Sequence, residues 1–206
     1  MKTDSTKKKA ILGFNQQAKD YDNSNDSKHA RTIYPFVLEK LDHTDYHSVL
    51  DVGCGTGAVL SAIMNRNKNR PILAGIDISP EMIKVANARL GVHADLRTGD
   101  AENLPWNDNS FDVVLCIDSF HHYPNPEKAL SEINRVVKPN GRLILADLFI
   151  SGLRRQVINL FIRFSKEGDV RVYSKAEICA QIEAAGFKNI SWELVTSNAF
   201  LLNSMK

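Results

Sequence analysis

The segment VLDVGCGTG at residues 49–57 constrains the fold of this chain more than any other part of its sequence. An apolar run leads straight into Gly53, Gly55 and Gly57, and the helix-forming stretch AVLSAIMNR follows. Glycines are needed where the backbone turns tightly and a ligand must approach without a Cβ in the way. A helix that begins there leaves free N–H groups in its first turn. The pattern therefore predicts a strand, a ligand-binding loop and a helix in that order.

An acidic residue further along extends this signal. Asp77 ends the next apolar run, 20 residues past Gly57. A carboxylate at that point can accept hydrogen bonds from both ribose hydroxyls of an adenosine. Two cofactor classes stay open, because Gly53, Gly55 and Ala58 also fit the dinucleotide fingerprint of NAD-binding domains. An NAD-dependent oxidoreductase is therefore one alternative for the function.

The rest of the chain alternates between strand-like and helix-like segments. Continuous apolar runs, which are typical of strands buried on both faces of a parallel sheet, occupy residues 47–52, 72–77, 111–117 and 142–149. Helices are predicted between and after them, with Ser79, Asn125 and Ser174 as N-caps. Two short strands close together, 189–195 and 199–203, predict a hairpin. The fold class is therefore α/β, a mostly parallel sheet with an antiparallel terminal hairpin and helices on both faces.

Length and composition are those of one globular domain. The 206 residues suffice for a single core without an internal linker, and residues 1–9 are predicted to be a disordered tail. A net charge of +2 gives no reason to expect a nucleic acid partner. The three cysteines lack disulfide or zinc-type spacing, no apolar run reaches the roughly 20 residues of a membrane span, and no secretory signal is visible. We expect a cytoplasmic protein without stable membrane insertion.

Several motifs, taken in order, carry a resemblance to a known family. They are LDVGCGTG (50–57), GIDISPEMI (75–83), TGDAENLPWNDNSFDVVLCIDSFHHYPNP (98–126) and EINRVVKPNGRLILADL (132–148). In these motifs the chain resembles the class I S-adenosylmethionine-dependent methyltransferases, particularly the small-molecule type related to the ubiquinone/menaquinone methyltransferases. The resemblance implies a Rossmann-like seven-stranded sheet with an antiparallel last strand. It also implies S-adenosylmethionine as cofactor and methyl transfer to a small-molecule acceptor.

The resemblance implies roles for the residues at matching positions. Gly53 and Gly55 would face the methionine part of the cofactor, with Asp51 near its amino group, and Asp77 would bind the ribose. Ile78 and Met82 would line the adenine side of the cofactor. Asp100 would accept from the adenine amino group, and the Ala101 backbone would contact a ring nitrogen. Ile117 would lie under the methionine end, and Tyr21 would close over the cofactor as part of a lid.

His121 and His122 are the candidate catalytic residues. They follow the apolar run 111–117, and ligands of open α/β sheets bind at the carboxyl ends of strands. A histidine there could act as a general base near neutral pH, which is needed only where the acceptor must lose a proton. A pocket-lining role is the alternative. No metal site is predicted, since adjacent histidines on a helix or strand do not give a chelating spacing.

Two segments are expected to cover the site. Residues 10–40 are predicted to form an N-terminal helical lid, and residues 150–173 an insertion over the substrate. Within that insertion, 151–168 combines an apolar stripe with four basic residues, which predicts an amphipathic helix packed on the domain or over the active site. A dimer contact and a helix lying on a membrane surface are alternatives. A homodimer and a non-catalytic S-adenosylmethionine-binding partner protein also stay open.

Overall fold

The computed structural model of the protein describes residues 2–25, 27–66, 70–165 and 168–206. The helices are α1 (Lys2–Gln17), α2 (Lys28–Asp42), α3 (Ala58–Arg66), α4 (Pro80–Leu90), α5 (Pro126–Val136), α6 (Gly152–Phe161) and α7 (Lys175–Ala184). The strands are β1 (Ser48–Val52), β2 (Ile72–Asp77), β3 (Ala94–Thr98), β4 (Phe111–Ile117), β5 (Val137–Leu148), β6 (Lys188–Thr196) and β7 (Ala199–Met205).

The strands form one seven-stranded sheet in the order β3-β2-β1-β4-β5-β7-β6. Neighbours from β3 to β5 pair in parallel, whereas β7 runs antiparallel to both β5 and β6. The predicted fold class is confirmed, including the antiparallel hairpin at the end of the chain.

The strand order fixes where a ligand can bind. The chain moves outward from β1 to β3 and then returns to place β4 on the other side of β1. Crossovers that leave two neighbouring parallel strands in opposite directions open a crevice at their carboxyl ends. The glycine loop after β1 and the histidine pair after β4 therefore lie at the same crevice.

Helices bury apolar stripes on both faces of the sheet. One core contains Ile33, Val37 and Leu41 of α2 together with side chains of α3 and α4, and the other contains those of α5 and α7. The same helix also lines the crevice, with Ala30 and Tyr34. Helix α1, here called the cover helix, lines it with Ala10 and Phe14. The lid over residues 10–40 stays a prediction.

Helix starts were partly readable from the sequence. Ser79 Oγ accepts a hydrogen bond from the Met82 N–H at 3.1 Å, and Ser174 forms a capping box with Glu177. Asn125 is the N-cap residue of α5 as predicted, but its side chain makes no capping bond and donates instead to Glu102 Oε2 at 2.9 Å.

Two other differences concern strands. Strand β3 was not predicted, because ADLRT is a partly exposed stretch without a continuous apolar run. Strand β5 begins at Val137 rather than 142, and its pairing with β4 shifts register after Phe111. Asn140 takes a positive φ of 63° in this irregular stretch, so the Pro-Asn-Gly sequence bends a strand instead of preceding one.

The prediction of a disordered tail over residues 1–9 is wrong from residue 2 onward, since α1 begins at Lys2. Met1 lies outside the described residues. The expectation that 151–168 packs its apolar stripe on the domain is also wrong, because none of the α6 residues is buried. Lys166 of that segment lies outside the described residues. Within the described ranges, no helix combines the length and the apolar character needed to cross a membrane.

Candidate active site

The loop after β1 is shaped by glycines. Gly53 has φ +82°, and a Cβ there would lie 2.6 Å from both Cβ and Oγ of Ser119. The N–H groups of Gly53 and Cys54 donate to the Ile76 carbonyl at 2.8 and 3.0 Å, which ties the loop to β2. Gly55 has φ +50° and open space where a Cβ would project. Its backbone can therefore approach a ligand closely.

Asp77, at the end of β2, is fixed by the backbone around it. Oδ2 accepts from the Gly55 N–H at 2.9 Å, and Oδ1 accepts from the Ser79 N–H at 2.8 Å. Burial raises the pKa of Asp77 to about 6, against the lowering effect of these two bonds. The group is therefore mainly a carboxylate at neutral pH. Since each carboxylate oxygen has a further lone pair, it can still accept from ribose hydroxyls.

Asp51 lies in β1, directly before the glycine loop. Its side chain is buried, and Oδ1 has no hydrogen-bond partner. Burial and then repulsion from Asp77 raise the pKa of Asp51 to about 8. A buried acceptor without a partner is costly unless a ligand supplies a donor. The ammonium group of a methionine moiety is such a donor, so the residue fits its predicted role.

A cavity, here called the cofactor cavity, lies over the glycine loop. It is lined by predicted cofactor residues, namely Tyr21, Gly53, Gly55, Asp77, Ile78, Met82, Asp100, Ala101 and Ile117. Asp51 is not in its wall. The remaining wall comes partly from residues that were not predicted, including Lys7, Phe14 and Tyr34. The crevice thus brings the predicted set together, while the contact that each residue makes with a cofactor stays a prediction.

Lys7 of α1 reaches the adenine side of this cavity. Its Nζ lies 2.7 Å from Asp100 Oδ2 and 2.7 Å from Glu102 Oε2. The Asp100 carboxylate, predicted to take the adenine amino group, is therefore paired with the cover helix. Further along α1, Asn15 Oδ1 accepts from Ser79 Oγ at 2.7 Å. Nothing in the local sequence marks Lys7 as a site residue, because its partner Asp100 is 93 positions away.

A second cavity, here called the histidine cavity, adjoins the first. Its lining consists of Phe14, Tyr21, His29, Asp118, His121, His122, Leu148 and Asn198. Three imidazoles around it each face a carboxylate. His29 Nδ1 lies 2.7 Å from Asp118 Oδ1, His121 Nδ1 lies 2.5 Å from Asp147 Oδ1, and His122 Nδ1 lies 3.0 Å from Asp169 Oδ1. His122 Nδ1 and Asp169 Oδ1 are close to each other but are not aligned for a hydrogen bond.

The three histidines differ in the direction in which the protein shifts their pKa. Burial lowers the pKa of His29, but Asp118 and the Asn198 carbonyl outweigh it and the pKa is raised. Burial likewise opposes protonation of His121, yet the Asp147 carboxylate raises its pKa above the ordinary value. For His122, burial and the neighbouring charge of His121 lower the pKa despite Asp169. His122 is therefore the one of the three whose surroundings favour the neutral imidazole.

Two sets of side chains around this cavity have the chemistry of metal ligands. Among the described residues, ligand atoms of His121, His122 and Asp169 lie within 4.8 Å of one another, and so do those of Asp118, His121 and Asp147. The adjacent histidines can thus converge, because they lie in the short 3-10 helix Phe120–His122 rather than on an α-helix or strand. His121 Nδ1 is already engaged with Asp147, and the absence of a metal site stays a prediction.

Comparisons with known proteins agree with this geometry. Residues 50–145 match the family model described as a methyltransferase domain. The chain is 31% identical over 157 residues to the demethylmenaquinone methyltransferase of Thermotoga maritima, covering 73% of this chain and 66% of the relative. It is 32% identical over 123 residues to a sterol 4-C-methyltransferase of Caenorhabditis elegans, covering 57% of this chain and 36% of the relative.

A solved structure shares the fold. An S-adenosylmethionine-dependent methyltransferase from Aquifex aeolicus superposes with a TM-score of 0.69 at 24% identity, covering 91% of this chain and 96% of that one. The chain spans between about a third and two thirds of the length of the curated relatives it matches.

The parallel sheet, the glycine loop at its switch point and the acid after β2 define a Rossmann-like domain for a nucleoside-containing cofactor. The chain carries the methyltransferase domain of the class I S-adenosylmethionine-dependent family. The cofactor of this domain is S-adenosylmethionine, and the NAD reading of the glycine loop is not supported.

Proposed function

We propose that the protein transfers a methyl group from S-adenosylmethionine to a small-molecule acceptor held in the histidine cavity. The observation that carries this proposal is the shared wall of the two cavities, which contains Phe14, Tyr21, Asp118 and His122. The two cavities thus adjoin at these four side chains, and a ligand in one would lie next to a ligand in the other. Such an arrangement aligns two reactants and converts an encounter into a step within one complex.

The cofactor residues have distinct roles in this proposal. Asp51 holds the ammonium group, and Asp77 accepts from the ribose hydroxyls. Gly53 and Gly55 leave room for the methionine end above Ile117. The adenine end lies between Ile78 and Met82, beside Asp100 and the Ala101 backbone, and Tyr21 closes over the cofactor. When bound, S-adenosylmethionine supplies an activated methyl group on a sulfonium. The protein mainly aligns the acceptor and excludes water.

We assign the role of general base to His122. It lies in the wall of both cavities, and its lowered pKa keeps it neutral and able to take a proton from an acceptor hydroxyl or amine. His121 positions it, because His121 is fixed by two bonds to Asp147 and its ring lies 4.0 Å from that of His122. A positioned base contributes about 10²- to 10⁴-fold in rate.

The acceptor is proposed to be small rather than a nucleic acid. The net charge of +2 gives no reason to expect a polyanion as the acceptor. The relatives named above act on a demethylmenaquinone and a sterol, so a hydrophobic ring compound is a reasonable first class to screen. The cysteines Cys54, Cys116 and Cys179 are free, which suits the reducing cytoplasm proposed for this protein.

Two experiments test the proposal. Calorimetric titration with S-adenosylhomocysteine should show binding, with NAD as a parallel ligand that does not bind. A screen of phenols, quinols and amines with labelled S-adenosylmethionine then finds the acceptor. With that acceptor, His122→Asn should lower kcat by about 100-fold or more, while S-adenosylhomocysteine affinity stays within about threefold. His93→Asn, at an exposed histidine, is the matched control. A His122→Asn enzyme with unchanged kcat would exclude the base role.

A further inference from the structure

Helix α6 is attached to the domain through its polar side. Arg155 Nη1 donates to Glu177 Oε2 at 2.6 Å. Asn159, one turn later, donates from Nδ2 to the Val172 carbonyl at 3.0 Å and accepts from the Val172 N–H at 2.8 Å. Residues four apart lie on the same side of a helix. The side of α6 that carries Arg155 and Asn159 therefore faces the protein.

The opposite side of α6 is apolar and exposed. Leu153 is 77% exposed, Val157 57%, Leu160 67% and Phe161 58%. Their spacing of four, three and one residues places them in one stripe along the helix. A surface helix normally buries such a stripe, whereas α6 turns its polar side to the domain and its apolar side to solvent. Large apolar side chains that cluster on a surface mark an interaction site.

The charge around the stripe indicates what it contacts. The sequence between Asp147 and Glu167 contains Arg154, Arg155, Arg163 and Lys166 and no acidic residue. Arg154 is exposed next to the stripe. Arg155 is paired with Glu177 on the opposite side of the helix. An exposed apolar stripe beside Arg154, in a segment without acidic residues, is complementary to anionic lipid headgroups above hydrocarbon.

A second copy of the chain fits this face less well. In a two-fold dimer the same patch meets itself, so Arg154 of one α6 would lie near Arg154 of the other, and α6 has no acidic residue to pair with it. The stripe is also only four side chains on a ten-residue helix, whereas a stable interface takes about 20–30 residues from each side.

We propose that the exposed stripe of α6 docks this protein peripherally on an anionic lipid surface. The segment that contains α6 runs from Leu148, which lines the histidine cavity, to Asp169, which pairs with His122. The docking surface itself does not depend on the proposed methyl transfer.

Vesicle sedimentation tests the docking. Full-length protein is mixed with phosphatidylcholine vesicles with and without about one third phosphatidylglycerol. We expect binding to the anionic vesicles, weaker binding to the neutral ones, and loss of binding as salt is raised. The double variant Leu160→Ser/Phe161→Ser should bind at least about tenfold more weakly, because two apolar side chains no longer enter the interface. Its melting temperature and S-adenosylhomocysteine affinity should be unchanged, since neither residue is buried.

A surface substitution away from α6 serves as the control for vesicle binding. Val92→Ser removes a side chain that is 97% exposed elsewhere on the surface, so vesicle binding should be unaffected. Wild-type protein that stays in solution with anionic vesicles would overturn the proposal. So would a wild-type dimer in light scattering that Leu160→Ser/Phe161→Ser converts to a monomer, since the stripe would then be covered by a second copy. Acceptor turnover is measured separately, so failure of docking and failure of the proposed methyl transfer are distinguishable.

Discussion

The backbone N–H of Gly55 donates a hydrogen bond to Asp77 Oδ2 at 2.9 Å. This bond joins the glycine loop after β1 to the acid at the end of β2, two segments that the sequence separates by 22 positions. The loop and the carboxylate therefore form one preorganised unit on which a cofactor can be held.

Asp77→Ala should weaken S-adenosylhomocysteine binding more than about tenfold, because it removes a charged acceptor of paired hydrogen bonds and also frees the Gly55 N–H. Calorimetric titration measures the change. Asp77→Asn keeps the shape without the charge and should lose less. Affinity of the alanine variant within about twofold of wild type would exclude the ribose assignment.

The two glycines should respond differently to alanine. Gly53→Ala has both a positive φ and a Cβ 2.6 Å from the buried Ser119, so it should lose about 2–5 kcal/mol of unfolding free energy. Gly55→Ala meets open space and should lose only about 1–2 kcal/mol. Its Cβ enters the cofactor cavity, however, so cofactor binding should fall at least about tenfold. Denaturant unfolding and calorimetry separate the effects, and equal stability losses would contradict the packing argument.

Asp51→Asn should stabilise the ligand-free protein and weaken cofactor binding. The folded-state pKa of Asp51 is raised to about 8 from 3.8, so the buried carboxyl reduces stability increasingly between those pH values. At pH 7 the substitution should raise the free energy of unfolding by about 1–3 kcal/mol. The exposed Asp45→Asn is the control. A less stable Asp51→Asn protein would show that the carboxylate has a partner in solution.

The pair of His121 and Asp147 should make stability depend on pH. The folded-state pKa of His121 is raised from 6.5 to about 10. Its stabilising contribution is therefore fully present below about pH 6.5 and is lost as pH rises through about 10. The difference in unfolding free energy between wild type and His121→Gln should shrink by about 2 kcal/mol over that window. A difference that is constant with pH would contradict the ion pair.

The main strands could be predicted because each is a continuous apolar run, as in FDVVLCI of β4. Strand β3 could not, since its residues pair at the edge of the sheet and none is buried. The first turns of α1, up to residue 9, could not be predicted because they are lysine-rich, and the partners of Lys7 are contributed by the loop after β3. For α6 the apolar stripe could be predicted from the sequence, but the periodicity does not tell which side of the helix contacts the domain. Which side faces the domain is decided by Glu177 and Val172.

The sequence by itself determined the parallel strands, the glycine loop and the acid at position 77, because these depend on local patterns of apolar residues and on backbone freedom. Only the tertiary structure decided in which direction the pKa of each histidine is shifted. His29 meets Asp118 across 89 positions, and His121 meets Asp147 across 26. Burial and the distance to a carboxylate set the pKa of an imidazole, and neither is a property of neighbouring residues in the chain.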